Sequence, residues 1–257
     1  MRGLDGIAAR VLRARWALVG ALAPRREVRT RDLRLTLRVE NWITHYRWAT
    51  YEEKEPETLD WIDSDLRDGD LLIDVGANIG VYTVYAALRH AGLRVIAFEP
   101  EVANAHLLRD NIVANRVADR VDAYAVALGA HEGLGTLLVQ DLTPGAALHS
   151  LASAAADRTP DGRRVVFRQG VIATTLDRFC ERASCRPNAL KIDVDGTEPE
   201  ILAGAAATLA APELRTVLIE MPAVVEDAVR CRTLLAAAGL RRIVGRISAS
   251  GNEIWSR

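Results

Sequence analysis

Three cysteines in 257 residues, Cys180, Cys185 and Cys231, are too few and too odd in number for a disulfide framework. Cys180 and Cys185 lack zinc-ligand spacing and have no histidine cluster beside them, so free thiols in a reducing cytoplasm are expected. No apolar run approaches the roughly 18 residues that a membrane span requires. Net charge is missing too: 33 Lys+Arg stand against 34 Asp+Glu, which argues against a chain that lives on phosphate contacts and so against a nucleic-acid partner. Lysine is nearly absent, because all but Lys54 and Lys191 of those 33 basic residues are arginine. There is no internal repeat and no linker that would divide a domain. What remains, 49% hydrophobic and 26% charged, is the composition of an ordinary globular chain.

Charge is unevenly spread. Residues 1–50 carry eleven arginines against four acids, and residues 51–75 carry ten acids against Lys54 and Arg67. The basic segment either meets something anionic or meets the acidic segment after it. Within it, Leu4, Ile7, Val11, Ala14, Leu18 and Leu22 recur at helical spacing on one stripe, flanked by Arg10 and Arg15. Such a helix packs on its own domain, on a second copy in a homodimer, or on a membrane surface as a peripheral contact; packing on protein is the preferred expectation. The Ala21-Leu22-Ala23 triplet imitates a secretory cleavage site, but the apolar stretch before it is short and Pro24 would follow the cut.

Residues 1–56 therefore read as an N-terminal helix and strand extension, with a strand at Leu33–Val39, and 57–257 as one domain. A helix at Glu57–Leu66 precedes alternating short apolar strands and helices: strands Leu71–Val75, Arg94–Phe98 and Val121–Leu128, helices Val81–Arg89 and Val102–Asn115. That alternation specifies an α/β fold whose parallel sheet is covered on both faces. Regularity lapses at about 130–170, where strands at Leu137–Val139 and Val165–Phe167 flank a loop rich in Pro, Gly, Ala and Ser. Beyond it come a helix at Thr175–Arg182, a strand at Ala189–Val194 and a helix at Glu198–Leu209, the last opened by a Thr197/Glu200 capping box. A strand at Thr216–Glu220, a helix at Val224–Ala238 and a hairpin of Leu240–Ile247 with Glu253–Trp255 complete the chain.

The first strand of that series runs into Asp74-Val75-Gly76-Ala77-Asn78-Ile79-Gly80, a glycine turn opening a helix. Gly76 and Gly80 allow tight turning and close ligand approach, and free N–H groups at the helix start suit an anion. Asn78 and Val81 stand where a dinucleotide fingerprint has its second and third glycines, so close approach of a pyrophosphate is blocked, whereas a carboxylate needs less room. Glu99, about 20 residues on and at the end of the next strand, is placed to accept from two ribose hydroxyls.

With these motifs in order, namely Asp74 to Gly80, Ala97-Phe98-Glu99-Pro100, Ala127-Leu128-Gly129, Thr175-Leu176-Asp177 and Leu190-Lys191-Ile192-Asp193-Val194-Asp195-Gly196, the sequence resembles FkbM-type S-adenosylmethionine-dependent methyltransferases from Glu55 to Glu220. The resemblance implies the Rossmann-like class I methyltransferase fold, a seven-stranded, mostly parallel sheet with an antiparallel final strand. It implies S-adenosylmethionine as cofactor and O-methylation of a sugar, glycan or polyketide-type hydroxyl as the reaction. By position, Asp74, Gly76, Ala77, Asn78 and Gly80, with Thr83 nearby, would hold the methionine end, Glu99 and Pro100 the ribose, and Ala127 and Leu128 the adenine border. Asp195 and Thr197 depart from the family's usual Glu and Ala, which leaves a direct role for Asp195 open.

Chemistry is sought where Lys191, Asp193 and Asp195 share one face of a central strand, since buried charge is costly unless paired or used. Lys191 is either a titratable amine near the acceptor or half of a Lys–Asp brace. Asp193, at the strand's C-terminal edge, is first choice for orienting cofactor or acceptor, Glu220 second, and His149 in the irregular loop is a further candidate. No required metal is expected. The rivals are a nicotinamide-dependent oxidoreductase, which Asn78 disfavours, a nucleic-acid methyltransferase, which lacks its base-cradling turn here, and a non-catalytic interaction module.

Overall fold

The computed structural model describes residues 25–147, 149–152, 164–243 and 251–257. The amphipathic stripe from Leu4 to Leu22 lies outside the described residues. The first elements are a hairpin of β1 (Arg25–Thr30) and β2 (Leu33–Arg38), paired from Arg25↔Arg38 to Thr30↔Leu33. Leu35 and Leu37 of β2 alternate inward as their spacing implies, while arginine-rich β1 buries only Val28 and Thr30, so no apolar alternation announces it. Next, α1 (Trp42–Ala49) starts from a reciprocal capping box between Asn41 and Thr44. In α2 (Pro56–Asp65) proline occupies the first turn and Leu59, Trp61 and Ile62 face the core. Arg31, in the hairpin turn, pairs with Asp60 and Asp63 of α2, so the basic and acidic segments do meet each other.

The alternating region follows: β3 (Leu71–Val75), α3 (Val81–Arg89), β4 (Arg94–Phe98), α4 (Val102–Ala114) and β5 (Val121–Tyr124). The expected strand Val121–Leu128 is in fact two. After Tyr124 the chain bends, and β6 (Ala127–Leu128) leaves for a second sheet; both its residues stay buried, so the apolar pattern conceals the bend. The supposedly irregular insertion supplies the rest of that sheet: β7 (Gly133–Val139), β8 (Ser150–Ala152) and β9 (Phe167–Thr174), in the order β6-β9-β7-β8.

Thr175 caps α5 (Leu176–Ala183), and β10 (Ala189–Ile192) leads to α6 (Glu198–Ala203) and α7 (Ala206–Ala210). One continuous helix was expected over those last two; the break falls at Gly204, where a Cβ would lie 2.2 Å from the Gly129 carbonyl, so the chain crosses too closely for a regular helix to continue. The Thr197/Glu200 capping box does not form either, because the Thr197 side chain makes no cap bond; the Glu198 carboxylate accepts the Gly196 N–H at 3.2 Å instead. The chain closes with β11 (Thr216–Glu220), α8 (Val225–Ala237), β12 (Arg241–Arg242) and β13 (Asn252–Ser256).

The large sheet runs β5-β4-β3-β10-β11-β13-β12, with β13 antiparallel to both neighbours and the five strands from β5 to β11 parallel. Leu72, Val95, Leu218 and Ile254 form one core with α2, α3, α4 and the hairpin. Ile73, Phe98, Leu190, Ile219 and Trp255 form the other, against α5 to α8. On the first face, amid these apolar neighbours, Lys191 of β10 sits in register with Asp74 of β3.

Candidate active site

At the C-terminal edge of the sheet β3 ends in a turn that only glycine can make. Gly76 has φ +78°, and a Cβ there would lie 1.9 Å from the carbonyl oxygen of Asp193, just past the end of the neighbouring strand. Gly80 has φ +83° and would press a Cβ to 2.5 Å of Leu108. Both glycines thus answer first to the chain's own packing rather than to a ligand, and of the two only Gly76 lines the cleft. The N–H groups of Gly76 and Ala77 both donate to the Phe98 carbonyl, which locks the turn against β4.

That lock positions Glu99. Its carboxylate is 6% exposed and accepts the Asn78 N–H at 2.8 Å and the Glu101 N–H at 2.9 Å. Burial pushes its pKa up to about 7, only partly opposed by those two donors. Asn78 does more than replace a glycine. Its side chain donates to the Ala146 carbonyl at 2.9 Å, and Asn104 donates to the same oxygen at 3.0 Å. Asn41 and Arg47 hold the Pro144 and Gly145 carbonyls at 2.9 and 2.8 Å, so the strap from Pro144 to Ala147 is tied across the cleft by main-chain oxygens.

Beneath the strap lies a cleft of about 280 Å³ lined by Asn78, Glu99, Asp193, Asp195, Glu220 and His149. A slot of about 50 Å³ opens from it between Phe98, Val126, Ala127, Leu128 and Ile201, with Pro100 and His149 shared by both. Asp74, Ala77, Thr83 and Lys191 line neither space. Asp74 is 1% exposed and accepts from Thr83, so these two stand under the site rather than in it.

Below the cleft, Lys191 lies against two carboxylates. Lys191 Nζ lies 2.8 Å from Asp193 Oδ2 and 3.8 Å from Asp74 Oδ1, with its side chain 2% exposed. Burial opposes its charge, but Asp193 and Asp74 outweigh it and lift the pKa above the usual lysine value. Lys191 thus stands as a cation braced between two carboxylates. For Asp193, burial is overcome by Lys191 and by a hydrogen bond with Glu220, which hold it well below the carboxylate range. Burial and Asp193 push Glu220 the other way, so the pair keeps one proton at neutral pH, carried on Glu220. Burial holds His149 below its ordinary value, hence neutral, and among the described residues neither ring nitrogen has a hydrogen-bond partner. Sequence reasoning missed Asn104 and Arg47: one asparagine on a helix and one of many arginines give no local signal.

The profile of the family described as "Methyltransferase FkbM domain" matches residues 74–241. The chain belongs to the FkbM methyltransferase family. It is 33% identical over 161 residues, 54% of its own length, to the 31-O-demethyl-FK506 methyltransferase FkbM of Streptomyces tacrolimicus, and spans 61% of that relative. It superposes on the crystal structure of methyltransferase FkbM from Methylobacillus flagellatus KT with a TM-score of 0.53 at 15% identity, covering 84% of this chain and 52% of that one. FkbM methyltransferases use S-adenosylmethionine, and the donor set suits that group: an apolar slot for a base, a backbone-fixed Glu99 with lone pairs left for a diol, and a roomy polar cleft beyond.

Proposed function

We propose that this chain is an S-adenosylmethionine-dependent O-methyltransferase that methylates a hydroxyl of a sugar, glycan or polyketide-type natural product. Bound in the cleft, the cofactor supplies an electrophilic methyl group. The slot beside Ala127 and Leu128 takes the adenine, and Glu99 accepts from the ribose hydroxyls. Asp193, ionised between Lys191 and Glu220, accepts a hydrogen bond from the acceptor hydroxyl and so orients its lone pair. An alcohol oxygen becomes strongly acidic only as its new bond forms, so a weak base suffices; neutral His149, which lines the same cleft, is the group to receive that proton. Asp195 borders the acceptor end.

The observation that carries this is one cleft holding a buried, backbone-fixed carboxylate beside an apolar slot, with an ionised aspartate on its wall and a histidine bordering both spaces. The curated relative, whose name specifies an O-demethyl compound, supports a natural-product hydroxyl as acceptor. Free Cys180, Cys185 and Cys231 suit a cytoplasmic enzyme, and no helix among the described residues is long and apolar enough to cross a membrane. Incubation with methyl-labelled S-adenosylmethionine and extract of the source cell tests the assignment. Label on oxygen of a small molecule or glycan is expected; label on nitrogen or on nucleic acid, or no cofactor binding, overturns it.

A further inference from the structure

The chain has two lysines, and the fold brings both to the same acidic pair. Lys191 supports Asp193 from below, while Lys54, from the segment joining α1 to α2, lines the cleft, and its charge reaches Asp193 and Glu220. Arg47 of α1 lines the same wall. Its Nε is spent on the Gly145 carbonyl at 2.8 Å, and among the described residues Nη1 and Nη2 have no hydrogen-bond partner. Lys54 pairs with buried Glu55, yet its side chain remains 41% exposed. Between Arg47 and Lys54 a side pocket of about 20 Å³ reaches Tyr51, Val81 and Tyr82 at the start of α3. The remaining charges on the cleft wall, Glu99, Asp193, Asp195 and Glu220, are all acids. An anion entering the cleft therefore has one place to go.

We propose that Arg47 and Lys54 form a carboxylate subsite that receives the α-carboxylate of the cofactor's methionine moiety. This rests on the cofactor assignment above. A ligand with an apolar base, a diol and a terminal carboxylate is matched in turn by the slot, by Glu99 and by the two cations. The free edge of the Arg47 guanidinium offers paired N–H donors, the geometry that carboxylates prefer, and Lys54 adds a mobile point charge beside it. Both residues precede residue 74, where the family match begins, so the N-terminal extension completes a cofactor site that the matched domain alone leaves open at one end.

Ligand truncation separates this from a structural role. Calorimetric affinities of S-adenosylhomocysteine, which has the carboxylate, and methylthioadenosine, which lacks it, are measured for the full chain and for Lys54→Met, Lys54→Arg and Arg47→Met. Lys54→Met and Arg47→Met should each weaken S-adenosylhomocysteine about tenfold or more and leave methylthioadenosine unchanged, whereas Lys54→Arg should retain most of the affinity. Equal loss for both ligands would return the cations to the scaffold and overturn the proposal. Unchanged S-adenosylhomocysteine affinity would overturn it too, including the case where only the acceptor's KM rises. If Arg47→Met loosens the strap and melts early, Lys54→Met, altered at a half-exposed side chain, still decides. Failure of the unaltered chain to bind either ligand would instead defeat the cofactor assignment, a distinguishable result.

Discussion

Replacing Glu99 with glutamine perturbs the proposed ribose end of the cleft by a single atom. Both Glu99 oxygens accept backbone N–H groups, at 2.8 Å from Asn78 and 2.9 Å from Glu101. An amide can keep only one of these bonds and turns its NH₂ against the other donor. It also lacks the charge that strengthens hydrogen bonds from two ribose hydroxyls, so S-adenosylhomocysteine binding should weaken by about 1.5–3 kcal/mol, on the order of ten- to a hundredfold in Kd. A second readout is pH. Burial lifts the Glu99 pKa to about 7, and hydroxyl donors favour its ionised form. Affinity should be full above that value and fall as pH drops through it, about tenfold weaker at about pH 6 than at about pH 8. Glu99→Gln, with nothing to titrate there, should lose that dependence. Stability of the unliganded chain moves the other way. The folded pKa of Glu99 exceeds the unfolded one, so the folded state holds the extra proton between about 4.5 and about 7. Stability contributed by that proton is lost as pH rises through this window, by at most about 3 kcal/mol, and glutamine removes the loss. Calorimetric titration over the pH range, with thermal unfolding alongside, measures all three effects. A wild-type Kd insensitive to pH together with an unchanged Kd in folded Glu99→Gln would refute Glu99 as the ribose acceptor.

Lys191→Met should strand the Asp74 and Asp193 carboxylates below the cleft and cost about 3–5 kcal/mol, read as a large fall in Tm; an unchanged Tm would show that the brace contributes nothing. Lys191→Arg should also lower Tm, because the side chain is 2% exposed and a guanidinium has no room there. Gly76→Ala combines φ +78° with a Cβ 1.9 Å from the Asp193 carbonyl and should lose more than about 4 kcal/mol, checked by soluble yield and thermal unfolding. Since Asp193 already answers Lys191 and Glu220, EDTA should leave turnover almost unchanged; loss restored by magnesium would reassign Asp193 as a ligand.

The sheet was legible because its strands are buried on both faces and bounded by turn residues. Leu71–Val75, Arg94–Phe98 and Thr216–Glu220 fall where the apolar runs put them. Strand β1 was illegible because an edge arginine strand needs little apolar alternation, and β6 because its partner β9 lies some forty-five residues away. In the candidate site, the glycine turn and the position of Glu99 at the end of the next strand are visible in spacing. The state of Lys191 could not be read that way. Its position on a buried strand is visible in sequence, but whether desolvation or the flanking carboxylates win depends on Asp74, which only the strand register brings opposite it. Asn104 and Arg47 act on carbonyls about forty and a hundred residues distant, and a carbonyl leaves no trace in sequence.

That last point bears on how the strap over the cleft can change over evolution. The strap is gripped through the Pro144, Gly145 and Ala146 carbonyls, while the residues doing the gripping, Asn41, Arg47, Asn78 and Asn104, lie elsewhere in the chain. Every residue has a carbonyl, so the side chains at 144 and 147 can vary without loosening the hold. Ala146, 4% exposed, has no such room, and Gly145 is fixed by φ +91° and a Cβ that would come within 3.0 Å of Thr44. A lineage can thus reshape the strap's surface by single substitutions while Asn78, and through it the carboxylate at Glu99, keeps its place.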